Sequence, residues 1–156
     1  MEKIDIPVCI MLVGLPGSGK STFADNISKN IDVVIHLTDA IRKELFGDEN
    51  DQQNPQLVFE TAYKRIRRDL QEGYNVVFDA TNLRQKNRQM FLQYISDIPH
   101  RNICVLMKTP FKECVRRNDM RERRVPRKVL FRMKKAMEFP TIQEGFEVIK
   151  RVKTLK

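Results

Sequence analysis

The sequence predicts a three-layer α/β fold, a parallel sheet of about five strands with helices on both faces. Three observations carry this. Short apolar, β-prone runs alternate along the chain with longer amphipathic ones. The short runs are apolar throughout rather than at every second position, the pattern of strands covered on both faces. The first of them leads straight into a Gly-rich turn and then a helical pattern, so the order is βαβα. In such a fold ligands are expected at the carboxyl ends of the strands.

Residues 8–13 (VCIMLV) form the first expected strand, and Phe23, Ile27 and Ile31 mark the helix after it. A second strand is expected over 33–37. The stripe Val58, Ala62, Ile66, Leu70 then predicts a long helix that opens at Pro55 and stops at Gly73. A third strand over 76–78, a helix carrying Phe91, Tyr94 and Ile95, and a fourth strand over 103–107 follow. Beyond these, 110–117 and 127–137 read as helices flanking an Arg-rich connection, and 147–152 as a last strand.

The 156 residues include 41% apolar and 31% charged side chains, the balance of one ordered domain over 1–156, in which only 48–54 reads as a polar stretch. Its 3 cysteines form no C-x-x-C pair and its 2 histidines supply no zinc set, which fits a reducing compartment. The longest apolar run is too short to span a bilayer, and Glu2 and Asp5 spoil a secretory leader. The expectation is a cytoplasmic protein with no membrane partner. Its charge of +9 is uneven, with −4 in residues 1–79 and +13 in 80–156. Within 101–135 stand 13 Lys and Arg against 3 acidic residues, so this half suits a polyanion, nucleotide or nucleic acid; a solvated basic surface has the same composition.

The turn after the first strand is Gly14-Leu15-Pro16-Gly17-Ser18-Gly19-Lys20-Ser21-Thr22, a complete G-x-x-x-x-G-K-[ST] P-loop. Its glycines let successive backbone N–H groups approach phosphates, and the helix starting near Lys20 points its positive end at the same place. Lys20 is then expected between the β- and γ-phosphates, and Ser21 on Mg²⁺.

What the phosphates are used for depends on the other loops at this edge. Strand two ends in Thr38-Asp39, with Arg42 three residues on, so the two share a helix face. Asp39 can accept a hydroxyl proton while Arg42 holds an acceptor phosphate, or the pair is an N-cap and a surface ion pair. Strand three ends in Asp79-Ala80-Thr81-Asn82, where Asp79 takes the place of a carboxylate near the metal, and Asn82 with Gln85 reads equally as a helix cap. No Glu follows Asp79 and no N-K-x-D guanine motif occurs, which favours transfer to a hydroxyl over hydrolysis. The lid expected over 116–126 carries Arg116, Arg117, Arg121, Arg123 and Arg124. Arginine suits it because its fork holds phosphate oxygens and its charge does not titrate.

Together the P-loop, Asp39-x-x-Arg42, Asp79-Ala80-Thr81-Asn82 and Cys114-Val115-Arg116-Arg117-Asn118-x-x-Arg121 with Val125-Pro126 resemble the P-loop polynucleotide 5′-hydroxyl kinases, the kinase domains of phage and bacterial nucleic-acid end-healing enzymes. The resemblance implies a P-loop kinase fold and ATP- and Mg²⁺-dependent transfer to the 5′-OH end of a polynucleotide. It implies Asp39 as general base, Lys20 and Arg121 on the donor phosphates, and Gly14, Pro16, Gly17, Ser18, Gly19, Ser21, Thr22 and Arg117 around the nucleotide. It also implies that Asp39, Arg42, Asp79, Thr81 and Asn82 form the acceptor neighbourhood. A small-molecule or nucleoside kinase of the same fold, and a nucleotide-dependent nucleic-acid-binding switch, share the P-loop and stand as the alternatives.

Overall fold

The computed structural model describes residues 6–49, 54–122 and 124–153. Five strands, β1 (Val8–Val13), β2 (Val34–Leu37), β3 (Val76–Asp79), β4 (Arg101–Met107) and β5 (Val148–Val152), pair in parallel in the order β2-β3-β1-β4-β5. From β1 the chain runs to the edge strand β2, returns inward to β3 beside β1, and then crosses to β4 and β5 on the other side, so the end of β1 is the switch point at which open α/β sheets leave a crevice.

The alternation of β1 builds two cores. Cys9, Met11 and Val13 face a cluster with Ile41 of α2 (Thr38–Phe46), the stripe Val58, Ala62, Ile66, Leu70 of α3 (Pro55–Gln71) and Phe91 of α4 (Gln85–Tyr94). Ile10 and Leu12 face the opposite layer, where Ala24, Phe23 and Ile27 of α1 (Lys20–Asn30) pack. Rings of Tyr63, Phe78 and Phe91 stack in the first core with centroids 4.9–6.0 Å apart. The expected signals start and stop α3: Asn54 caps it by accepting from the Leu57 N–H at 3.1 Å, Pro55 opens it, and Gly73 leaves it with φ +88°. The last helices, α5 (Phe111–Asp119) and α6 (Arg127–Ala136), bury Cys114 and Leu130 against Leu15 and Leu83. This third cluster seats them over the β1 and β3 loops.

Three expectations need correction. Strand β2 is not covered on both faces: it is an edge strand, and Val34 is 37% exposed. Ile31 lies beyond α1 as its exposed C-cap. The helix expected over 110–117 runs on to Asp119, with Arg116 and Arg117 both ion-paired to Glu113, so the lid expected over 116–126 leaves the helix only at 120. Arg123 and part of the 48–54 stretch lie outside the described residues. Among the described residues no helix is long and apolar enough to cross a membrane.

Candidate active site

The loop after β1 is built from glycines that have no substitute. Gly17 holds φ +82°, and a Cβ there would stand 2.4 Å from the Cys114 carbonyl oxygen. A Cβ on Gly14 would meet Ser18 Oγ at 2.6 Å. Gly19, at φ +96°, turns the chain into α1, whose first turn carries no acidic residue, and this leaves the helix's positive end open to an anion. The loop is fixed from outside by the Gly14 N–H donating to Thr81 O at 3.1 Å and by Thr109 Oγ1 donating to Ser18 O at 2.7 Å. Pro16 is half-buried within it, and Ser21 and Thr22 are exposed on the first turn of α1.

Lys20 curls back so that Nζ donates to Leu15 O at 3.1 Å. Burial of its ammonium pulls its pKa below the ordinary lysine value; Asp79 and Asp39 push it back up and Arg121 pulls it down. Ser21 Oγ donates to Asp79 Oδ2 at 3.0 Å. Asp79 is almost wholly buried, which raises its carboxyl pKa against the opposing effects of Lys20 and Ser21. Asp39 adds to that rise, so Lys20 lies within electrostatic reach of Asp79, Asp39 and Arg121 alike. Arg42 Nη1 donates to Asp39 Oδ1 at 2.9 Å, and Arg42 Nε is buried without a hydrogen-bond partner among the described residues. Leu37, not Asp39, is the N-cap of α2; the aspartate lies one residue inside it, with its carboxylate at the strand ends.

The β3–α4 loop behaves differently from a helix cap. Asn82 holds the left-handed φ of +49°, and its Nδ2 donates to Leu12 O at 2.8 Å, while Arg84 stands as the N-cap of α4. Thr81 and Asn82 form one end of a cleft of about 910 Å³ between α3, α4 and α6. Phe59, Tyr63 and Tyr94 give it an aromatic wall. Lys64, Arg84 and Arg132 line it too, and none of these three has an ion-pair partner among the described residues, whereas Arg67, Arg101 and Arg127 are each paired.

At the lid, Arg117 Nε donates to Glu113 Oε1 at 3.0 Å, and Arg116 with Arg117 holds the Glu113 carboxyl down at about 2. Asn118, fully buried, clasps the connection: its Nδ2 donates to Val125 O at 2.7 Å and its Oδ1 accepts from the Val125 N–H at 3.0 Å. Sequence reasoning missed this clasp, the cleft, and Arg88, a fully buried arginine of α4. A signal for Arg88 existed, since it takes the inward phase three residues before Phe91 and four before Leu92. The arrangement suits Mg²⁺ and nucleotide phosphates in its chemistry: a glycine loop leading into a helix N-terminus free of acidic residues, a hydroxyl beside a carboxylate, and Lys20 with Arg121 in electrostatic reach of each other.

A family model described as an AAA domain matches residues 9–140. The L-seryl-tRNA(Sec) kinase of Methanococcus maripaludis is 26% identical over 153 residues, covering 89% of this chain and 56% of that protein. Two structures of the Pnkp1/Rnl/Hen1 complex, one given as an RNA repair complex, match at 25% and 24% identity with TM-scores of 0.67 and 0.75, covering 80% and 86% of this chain and 43% and 45% of those chains. A gluconokinase from Sinorhizobium meliloti 1021 matches at 18% identity and a TM-score of 0.64, covering 97% of this chain and 85% of that one. The fold is thus that of the P-loop kinases, and this chain spans about half the length of the first-named relatives.

Proposed function

We infer that this chain, which belongs to the AAA domain family through residues 9–140, is an ATP-dependent kinase acting on a hydroxyl of a nucleic acid, the 5′-OH end of a polynucleotide. The observation that carries the acceptor class is the cleft: three aromatic side chains and three cations without ion-pair partners meet in it beside the Asp79 loop. Bases stack on aromatic walls at about 1–3 kcal/mol each, and cations follow a phosphate backbone. A sugar can lay one face on an aromatic ring and gluconate carries one charge, but neither brings a run of phosphates to three cations. The RNA named for the Methanococcus and Pnkp1 relatives supports the same class.

In this reading the P-loop amides and Lys20 hold the donor phosphates, with Thr22, Arg117 and Arg121 around them. Ser21 and Asp79 would hold Mg²⁺, which supplies neutralisation of phosphate charge when bound. Arg42 grips an acceptor phosphate, and Thr81 and Asn82 bound the acceptor end. Asp39 removes the proton from the attacking hydroxyl; its oxygen bonds to the γ-phosphorus, the bond from that phosphorus to the β,γ-bridging oxygen breaks, and ADP leaves. Arg121 meets the charge spread over the transferring group.

The test is an acceptor panel with γ-labelled ATP: a 5′-OH oligonucleotide, the matching 3′-nucleotide, seryl-tRNA and gluconate, across a salt range. The oligonucleotide is expected to lead at low salt and to lose its lead as salt rises, with each phosphate contact adding about −0.7 to −0.9 to the slope of log affinity against log salt. An oligonucleotide no better than the mononucleotide overturns this reading. Label on seryl-tRNA alone favours a second one, phosphorylation of a seryl hydroxyl carried by tRNA, for which the 26% identical relative speaks.

The lid makes a separate prediction. Arg121→Ala lowers kcat by about 10²-fold, because the charge it meets develops only in the transition state. Arg124→Ala changes acceptor affinity modestly, and less as salt is added. Equal small effects in single-turnover measurements on the two variants would show both to be ordinary surface charges.

A further inference from the structure

We propose that Arg88 is a positioning residue that sets the β3–α4 loop for phosphoryl transfer, an inference that rests on the kinase reading above. Arg88 and Glu144 are both 0% exposed in their side chains. Nε and Nη2 of Arg88 donate to Glu144 Oε1 at 2.7 Å and Oε2 at 3.1 Å, a bidentate fork. Nη1 donates to the carbonyl oxygens of Asn82 at 2.9 Å and Leu83 at 3.0 Å. One guanidinium therefore binds the backbone of the loop on one side and, on the other, the 3₁₀ turn Ile142–Glu144 that lies beyond the lid helices. Glu144 is in turn oriented by the Thr141 N–H, which donates to Oε2 at 2.8 Å.

This loop touches both halves of the site. Thr81 O accepts from the first P-loop glycine, and Asn82 reaches across to Leu12 at the end of β1. Its residues 81–84 also bound the acceptor cleft, two residues beyond Asp79. A fully buried ion pair is a poor source of stability, since apolar residues of similar volume in its place are often neutral or better. What such residues cannot supply is two N–H groups aimed at two adjacent carbonyls in a loop that holds a left-handed residue. The P-loop shares one bond with this loop, Gly14 N–H to Thr81 O, and is otherwise held by its own glycines and by Thr109. Loss of Arg88 therefore displaces the acceptor side more than the donor side, and a misplacement of about 1 Å costs about 10²-fold in rate.

Two variants separate positioning from mere stability. Arg88→Lys keeps a cation for Glu144 but loses the planar fork, so it cannot hold both oxygens of the carboxylate and both carbonyls. The double variant Arg88→Met with Glu144→Gln leaves no buried charge unpaired and keeps an acceptor for Thr141. Both are expected to melt within a few degrees of wild type and to bind ATP within about threefold. Both are also expected to lose about 10²-fold in kcat/KM for the acceptor, with faster amide exchange confined to 81–85. Near-normal kcat/KM in a folded variant overturns the proposal, and so does failure of both variants to fold, which would make the pair structural. Should the wild type transfer phosphate to no acceptor at all, the kinase reading fails by itself; ATP affinity and loop exchange in Arg88→Lys still report whether this arginine holds the loop.

Discussion

Lys20→Ala lowers phosphoryl transfer by roughly 10²–10³-fold while leaving a folded protein. Among the described residues Lys20 Nζ has one hydrogen bond, to Leu15 O, and the side chain belongs to neither apolar cluster flanking the sheet. Its removal therefore opens no cavity in either core. What is lost is the charge that meets the donor phosphates, and the loss of a preorganised contact of this kind costs about 10²–10³ in rate. A second consequence follows for pH. Asp79 already titrates above the ordinary aspartate range because it is buried, and Lys20 is the strongest influence holding it down. Without Lys20 the carboxyl rises further, so the acid limb of the residual activity moves to higher pH. Stability responds with a definite sign. A carboxyl whose folded pKa is raised favours the folded state at low pH, below its unfolded pKa, and gives up that contribution as pH rises through the folded pKa. Relative to wild type, the variant therefore gains stability as the solution is acidified through the aspartate range. A pH–rate profile and denaturant titrations at pH 4 and 7 check both statements; near-normal transfer, or a variant unfolded at every pH, would remove Lys20 from the donor site.

The parts of this molecule that were legible in sequence are those whose physics is local. The run Val8–Val13 sits between two neighbours in the sheet, so both of its faces must be apolar, and its sequence shows that directly. The α3 stripe and its Asn54, Pro55 and Gly73 punctuation are local too. The P-loop is legible because backbone approach to phosphate calls for glycine at fixed spacings; that Gly17 and Gly14 are also packed against Cys114 O and Ser18 Oγ is visible only in the fold. Strand β2 was misjudged because edge or centre is a property of strand order, which no window of residues 33–37 contains. A helix cap stands beside the acceptor role for Asn82 in the sequence because Asn caps helices in general; that its amide instead finds Leu12 O depends on β3 lying beside β1. The cleft draws its cations from positions 64, 84 and 132, and only the packing of α3, α4 and α6 brings them together. Arg117 illustrates the reverse case, a charge whose neighbour four residues back in the same helix, Glu113, was visible all along.

Asp39→Asn is expected to reduce transfer by about 10²–10⁴-fold with ATP affinity retained. The substitution keeps the shape and an oxygen that can accept from Arg42 Nη1, now at 2.9 Å from Oδ1, so Arg42 is not released. It also leaves α2 its N-cap, Leu37, and its buried anchors Thr38 and Ile41. The helix therefore stays in place and the carboxylate alone is withdrawn. An amide cannot take a proton from an attacking hydroxyl, and general-base assistance is worth about 10²–10⁴. Because Asp39 also acts on Lys20 and Asp79, its neutralisation lowers the Lys20 pKa further and relieves Asp79. Both shifts are modest beside the loss of the base, and neither removes the P-loop's hold on phosphate. The decisive comparison is single-turnover transfer against ATP affinity in Asp39→Asn, alongside Arg42→Ala with oligonucleotides of increasing length. If Asp39 is the base, the rate collapses in Asp39→Asn at every acceptor length, while Arg42→Ala raises the acceptor KM and flattens its salt dependence. If Asp39 and Arg42 form only a helix ion pair, the two variants lose stability to a similar extent, and transfer proceeds at the wild-type rate.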